Sequence, residues 1–232
     1  MLPDSMAQYR SWVFDCDGVL LDSNRIKTEA FHTVALRFGV DAADALTDFH
    51  IRNGGISRYA KFAYLLEVIL GRQPATAELD TLCHDYAEHV FTQLLDCPVA
   101  EGLPALREAT ANARWMVVSG GAEHELREVF VRRGLDSLFD AGIHGSPDTK
   151  DDILNRELAD GSLLKPAIFV GDSRYDHEAA VRAGLDFVFI SGWTEFREWR
   201  EYCALHTIAS VAGIGQIAST RLYSSRSTHA GE

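Results

Sequence analysis

The sequence predicts an α/β protein: a parallel sheet with helices on both faces and an all-helical segment inserted after the first strand. Two observations carry this. Short β-branched or aromatic runs bounded by Gly, Asp or Ser alternate with longer stretches of helical period. That alternation is broken once, between about Asn24 and Leu95, where the pattern is helical almost throughout. At 232 residues and 47% hydrophobic content, the chain can also bury the large core that such a sheet needs.

"SWVF" (11–14) is the first strand. The interruption follows it, as "RIKTEAFHTVALRFG", "ADALTDFHIR", "SRYAKFAYLLEVILG" and "ATAELDTLCHDYAEHVFTQLL". Strands then resume with "RWMVVS" (114–119), "AGIHG" (141–145), "PAIFVGD" (166–172) and "DFVFIS" (186–191). Between the first two of these, "AEHELREVFVRRGL" sets Leu126, Val129, Phe130 and Leu135 at helical spacing, with Gly134 as a stop. In "WTEFREWREY", Trp193, Phe196 and Trp199 are expected to pack against the sheet. The domain expectation is a core of residues 1–22 and 97–222, a helical cap of residues 23–96 over the strand ends, and a flexible tail of residues 223–232.

The net charge of −12, from 22 Lys+Arg against 34 Asp+Glu, excludes general affinity for nucleic acid or anionic membranes. An anionic substrate therefore needs a local positive correction. No apolar stretch approaches the roughly 20 residues of a membrane span, and the start of the chain lacks the apolar centre of a signal peptide. A cytoplasmic protein is expected. Cys16, Cys83, Cys97 and Cys203 lack metal-site spacing and read as buried or incidental thiols. His32, His50, His84, His89 and His144 are likewise scattered, as surface or satisfied core residues. Oligomeric state is not legible in the sequence.

The chemistry gathers at the strand ends. In "WVFDCDGVLLDS", Asp15 and Asp17 lie two apart, so in an extended chain they share a face. Two such carboxylates can separate into a nucleophile and a general acid/base, although a lone Asp-x-Asp is more commonly a pair of solvated turn acids. "VVSGGAEHEL" offers Ser119 and the amides of Gly120 and Gly121 as an anion cradle at a helix start. Lys150 opens a helix, where a cation opposes the dipole; it can neutralise a phosphate oxygen or pair with neighbouring acids. Asp172 and Asp176, in "FVGDSRYDHEAAVRAG", read as a hard-metal position or as capping acids. Each signal alone is weak. A parallel sheet brings its strand ends to one edge, so agreement at four of them is specific.

This order of motifs resembles the haloacid dehalogenase-like (HAD) superfamily from Trp12 to about Gly192: "FDCDGVLLDS", "VVSGG", Lys150 and "VGDSRYDHEAAVRAG" match its four motifs in turn. The resemblance implies a Rossmann-like core, Asp15 as the nucleophile that forms an aspartyl-phosphate, and Asp17 as the acid that protonates the leaving group and then activates water. It implies Mg²⁺ held by the Asp15 carboxylate, the Asp17 carbonyl and the Asp172 carboxylate, with Asp176 orienting Lys150 or a bound water. Ser119, Gly120, Lys150 and the amides of Cys16 and Asp17 would receive phosphate, supplying the positive correction. The family's dehalogenases resemble the first motif without its second aspartate, so Asp17 favours phosphoryl transfer.

The insertion resembles the helical cap of the branch that holds phosphoglycolate phosphatase and β-phosphoglucomutase. The expected activity is a phosphatase acting on a small phosphorylated metabolite, phosphoglycolate or a sugar phosphate. "NGGISRYAKF" is similar to the mutase's specificity loop, so Arg58 either forks onto substrate or lies solvated behind a Ser57 cap. Lys27 stands where the mutase pattern has a histidine, which weakens a phosphomutase reading. It would contact substrate phosphate or, as in phosphonoacetaldehyde hydrolase, form a Schiff base. A receiver-like phospho-aspartate signalling module is the non-enzymatic alternative. Receivers are shorter, place the acceptor on a middle strand and lack a cap.

Overall fold

The computed structural model describes residues 8–217, so the expected tail at 223–232 lies outside the described residues. Its six strands are β1 (Ser11–Phe14), β2 (Arg114–Ala122), β3 (Ile143–Ser146), β4 (Ala167–Gly171), β5 (Asp186–Ile190) and β6 (Ala209–Val211). They form one parallel sheet in the order β3-β2-β1-β4-β5-β6. The α/β class and the five predicted strands are present. The sequence reading lacked β6, a three-residue edge strand with only Val211 buried.

Period-2 alternation divides each central strand between two cores. Trp12, Phe14, Trp115, Val117, Ile168 and Val170 face one core, which Leu126, Val129 and Phe130 of α6 (Glu123–Arg132) help to close. Val13, Met116, Val118 and Phe169 face the other. There they meet Ile153 and Leu154 of α7 (Lys150–Asp160) and Ala179 and Ala180 of α8 (Arg174–Ala183). Burial on both faces is why these strands read as continuous apolar runs. Each fully buried aromatic contributes roughly 1.5–3 kcal/mol, set against the cost of ordering the chain. As expected, Trp199 stacks on Phe189 of β5 at 5.7 Å, although residues 193–198 are not helical.

The insertion comprises α1 (Asn24–Ala35), α2 (Val40–Arg52), α3 (Arg58–Tyr64) running into a π-turn, and α4 (Thr76–Asp96), after which α5 (Leu103–Ala109) leads back to β2. Phe31, Phe62 and Tyr86 hold it together, with Phe31 and Tyr86 rings 4.4 Å apart and Phe31 and Phe62 rings 5.2 Å apart. Its two connections to the sheet are laced to each other. Asp22 N donates to Pro98 O at 3.0 Å and Ala100 N to Leu20 O at 2.9 Å. Paired in this way, the insertion leaves and rejoins at one point, directly beyond the end of β1. Among the described residues, no helix is long and apolar enough to cross a membrane.

Candidate active site

β1 stops at Phe14, so Asp15 and Asp17 lie in the turn beyond it and do not share a strand face as the spacing suggested. The Cys16 carbonyl causes this by accepting from the amides of Leu20 (2.8 Å) and Leu21 (3.0 Å), which curls the chain. Gly18 permits the curl with φ +73°, and a Cβ there would also collide with the Asp172 carboxylate. Only glycine fits.

The floor of the site is a closed ionic network. Asp15 Oδ1 accepts from Cys16 N at 2.8 Å and pairs with Lys150 Nζ at 2.9 Å. Lys150 Nζ also donates to Asp176 Oδ1 at 2.5 Å. Asp176 Oδ2 accepts from Asp172 N (3.2 Å), Ser173 N (3.0 Å) and Ser173 Oγ (2.7 Å), completing a capping box at the start of α8. Asn24 Nδ2 donates to Asp172 Oδ2 at 2.8 Å. Lys150 thus opens α7 against the dipole because two buried carboxylates require it.

Asp15, Asp172 and Asp176 each place a carboxylate oxygen within 4.8 Å of the others. Burial, with Asp176 and Asp17 nearby and Lys150 opposing, pushes the Asp15 carboxyl up to about 7. Burial and the same crowding by Asp15 and Asp176 raise Asp172 well above the usual carboxylate range. The cluster therefore holds more negative charge than Lys150 alone balances. An all-oxygen, over-acidic donor set of this kind fits a hard divalent cation. Asp176 has both oxygens engaged, which leaves Asp15 and Asp172 as the carboxylates free to take one.

Asp17 turns towards the insertion. Its Oδ1 accepts from Ser23 Oγ at 2.6 Å and its Oδ2 from Lys27 Nζ of α1 at 2.5 Å. Burial would raise the Asp17 carboxyl, but Lys27 and the Ser23 hydrogen bond outweigh it and hold the group below its ordinary value. Lys27 correspondingly remains an ammonium, since Asp17 more than offsets the burial that would lower it.

Between floor and insertion lies a cavity of about 290 Å³, lined by Asp15, Asp17, Gly120 and Asp172 from below and by Lys27, His50, Arg58, Lys61 and Tyr86 from above. Ser119 and Lys150 are buried and do not line it. The expected cradle differs in detail. Gly120 and Gly121 belong to the end of β2, where pairing with β3 shifts register, and the helix starts only at Glu123. Gly121 N is already bonded to Ser119 Oγ at 3.0 Å. Gly120 is needed for a close approach, because a Cβ there would strike the Gly55 carbonyl of the insertion.

Arg58 is neither solvated nor free: it is buried and forks onto both oxygens of Glu125 in α6. Its guanidinium also lies 4.6 Å from the Tyr86 ring centroid. Glu125, Asn24 and the His50–Lys61 pair were missed by sequence reasoning. Asn24 follows Ser23 at a helix start, which was a usable signal. Glu125 looks like any first-turn acid.

Comparisons with known proteins bear on the family and the fold. A family model described as haloacid dehalogenase-like hydrolase matches residues 12–190. A "Phosphorylated carbohydrates phosphatase" from Thermotoga maritima is 26% identical, over 76% of this chain and 82% of its own. Among solved structures, β-phosphoglucomutase from Clostridium difficile superposes with TM-score 0.70 at 17% identity, covering 90% of this chain and 93% of its own. A HAD hydrolase, family IA, variant 3 from Entamoeba histolytica gives TM-score 0.68 at 15% identity, covering 90% and 98%. At these identities the structural likenesses speak for the fold.

Proposed function

The chain belongs to the haloacid dehalogenase-like hydrolases, and from that premise we propose that it is a Mg²⁺-dependent phosphatase of small phosphorylated metabolites. The reaction runs through an aspartyl-phosphate on Asp15. The observation that carries this is Asp15 itself: a carboxylate on the cavity floor, oriented by Cys16 N and Lys150 and crowded by Asp172. Of the expected domains, the described residues 8–22 and 97–217 act as the core and residues 23–96 as its cap. The reaction is placed in the cytoplasm, with which the four free, buried cysteines are consistent.

Asp15 attacks phosphorus in line with the leaving oxygen, and Lys150 fixes the carboxylate that attacks. Asp17, a carboxylate at rest, passes to the departing alcohol a proton drawn from the Lys27 ammonium hydrogen-bonded to it, and later returns to Lys27 the proton it takes from the water that opens the aspartyl-phosphate. Gly120, at the end of β2, borders the phosphoryl oxygens, and Ser119 behind it holds that strand end through Gly121 N. Asp15, the Asp17 carbonyl and Asp172 would hold Mg²⁺, which neutralises charge on the transferring group when bound. The cap closes the site against water, held down by Arg58 on Glu125.

The Thermotoga relative's name favours a phosphorylated carbohydrate over phosphoglycolate. A Schiff base on Lys27 requires a neutral amine, and Asp17 keeps Lys27 charged. A receiver-like signalling module does not fit, because its flavodoxin-like strand order differs from β3-β2-β1-β4-β5-β6 and its acceptor is not on β1. The test is release of inorganic phosphate from phenyl phosphate with Mg²⁺ and with EDTA. Release is expected only with metal; no release in Mg²⁺, or equal release in EDTA, refutes the reading.

A further inference from the structure

Lys61 of α3 and His50 of α2 meet inside the cavity roof, with Lys61 Nζ 2.7 Å from His50 Nδ1. Both are nearly sealed from solvent, at 2% and 8% exposure. Phe31 supports them from one side, its ring centroid 4.6 Å from the His50 ring and 5.3 Å from the Lys61 amine. The other cations of the roof are paired: Lys27 with Asp17, Arg58 with Glu125 and the exposed Arg52 with Asp48. Among the described residues Lys61 has no carboxylate partner, although it is as buried as any of them.

A buried ammonium without a counter-ion is costly, and the group responds by giving up its proton. Burial, reinforced by Lys27 from α1, pushes Lys61 down to about 7, with Lys150 from α7 adding to the effect and Asp17 and Asp15 of the floor opposing it. Burial and the charges of Lys61 and Lys27 hold His50 well below its ordinary value. Tyr86 of α4, raised to about 12 by burial, remains a neutral phenol. A wall built for a hydroxyl needs only an amide or an alcohol; here it carries two basic groups and no acid. The missing partner is an anion supplied from outside the chain.

We propose that Lys61 and His50 form a second anion subsite that selects phosphorylated substrates carrying a further ionised oxygen group, a carboxylate or a second phosphate. The subsite deepens, and for its substrate class rests on, the phosphatase reading above. The reacting phosphate lies on the floor at Asp15, the second anion lies against Lys61 in the roof, and the small cavity sets the distance between them. Above about pH 7 the arriving anion raises Lys61 back into its charged form, so binding takes up a proton.

Titration calorimetry on Asp15→Asn, which retains ligand without turnover, reads this directly. Phosphoglycolate is compared with ethyl phosphate, which lacks the carboxylate, in buffers of different ionisation enthalpy. Near pH 8 phosphoglycolate takes up about one proton more than ethyl phosphate, and the excess fades towards pH 6. Adding Lys61→Met abolishes the excess. Equal uptake by the two probes, or an excess that survives Lys61→Met, overturns the subsite. Turnover by the wild-type enzyme identifies the source of the anion: kcat/KM favours phosphoglycolate over ethyl phosphate if it is a carboxylate, and a hexose bisphosphate over its monophosphate if it is a phosphate. A proton excess without phosphate release from any compound refutes the phosphatase reading and leaves the subsite standing; release without the excess does the reverse.

Discussion

Lys150 in the floor and Lys61 in the roof are the same residue type at nearly the same exposure, 1% and 2%. They nevertheless behave in opposite ways. Burial would lower both, but Asp15 and Asp176 lift Lys150 above its ordinary value, whereas Lys61 falls to about 7 beside a neutral histidine. Burial alone does not set the charge of a lysine; the carboxylates within reach do. The floor lysine therefore keeps its charge, while the roof lysine holds charge only when a ligand provides the counter-ion. Arg58 and Glu125 tie the two halves together.

Removing Lys150 breaks this contrast most severely. Lys150→Met leaves Asp15 and Asp176 facing each other without a buried cation, so turnover should fall about 10²- to 10³-fold for every substrate. Stability should also fall, by about 3–5 kcal/mol, the scale for breaking a buried pair. Steady-state kinetics on two unlike substrates and urea unfolding check both; a loss confined to one substrate would place Lys150 in recognition.

A comparable loss of stability, without the loss of turnover, is expected at the tie. Arg58→Met or Glu125→Leu alone strands a buried charge and should cost about 3–5 kcal/mol, whereas the double replacement should recover much of that loss. A double-mutant cycle by urea unfolding measures the coupling. Simple additivity would mean that Arg58 and Glu125 act independently, and that something else holds the cap on the core.

What the sequence made legible follows from where each signal sits. Asp15, Asp17, Lys150 and Asp172 were readable because a parallel sheet gathers the residues just past its strands, and those residues are adjacent to strong apolar runs. The end of β2 was misread because Ser-Gly-Gly suits a helix start as well as a strand that shifts register. β6 was missed because three residues with one buried side chain carry no periodicity. Arg58 and Glu125 are 67 positions apart, and nothing in either local pattern marks the other as its partner. His50 and Lys61 meet only because α2 and α3 pack around Phe31, so their pairing belongs to tertiary structure. The floor was thus largely written in motifs; the roof was written in packing.

The central claim is that Asp15 is the nucleophile. Phosphate release from phenyl phosphate in Mg²⁺, measured side by side for the wild-type chain and Asp15→Asn with unchanged far-UV circular dichroism, tests it most directly. The account predicts release by the wild type and a fall of about 10⁴-fold or more in the variant, the scale for losing a nucleophile that works as one unit with its neighbours. Comparable release by both would contradict it.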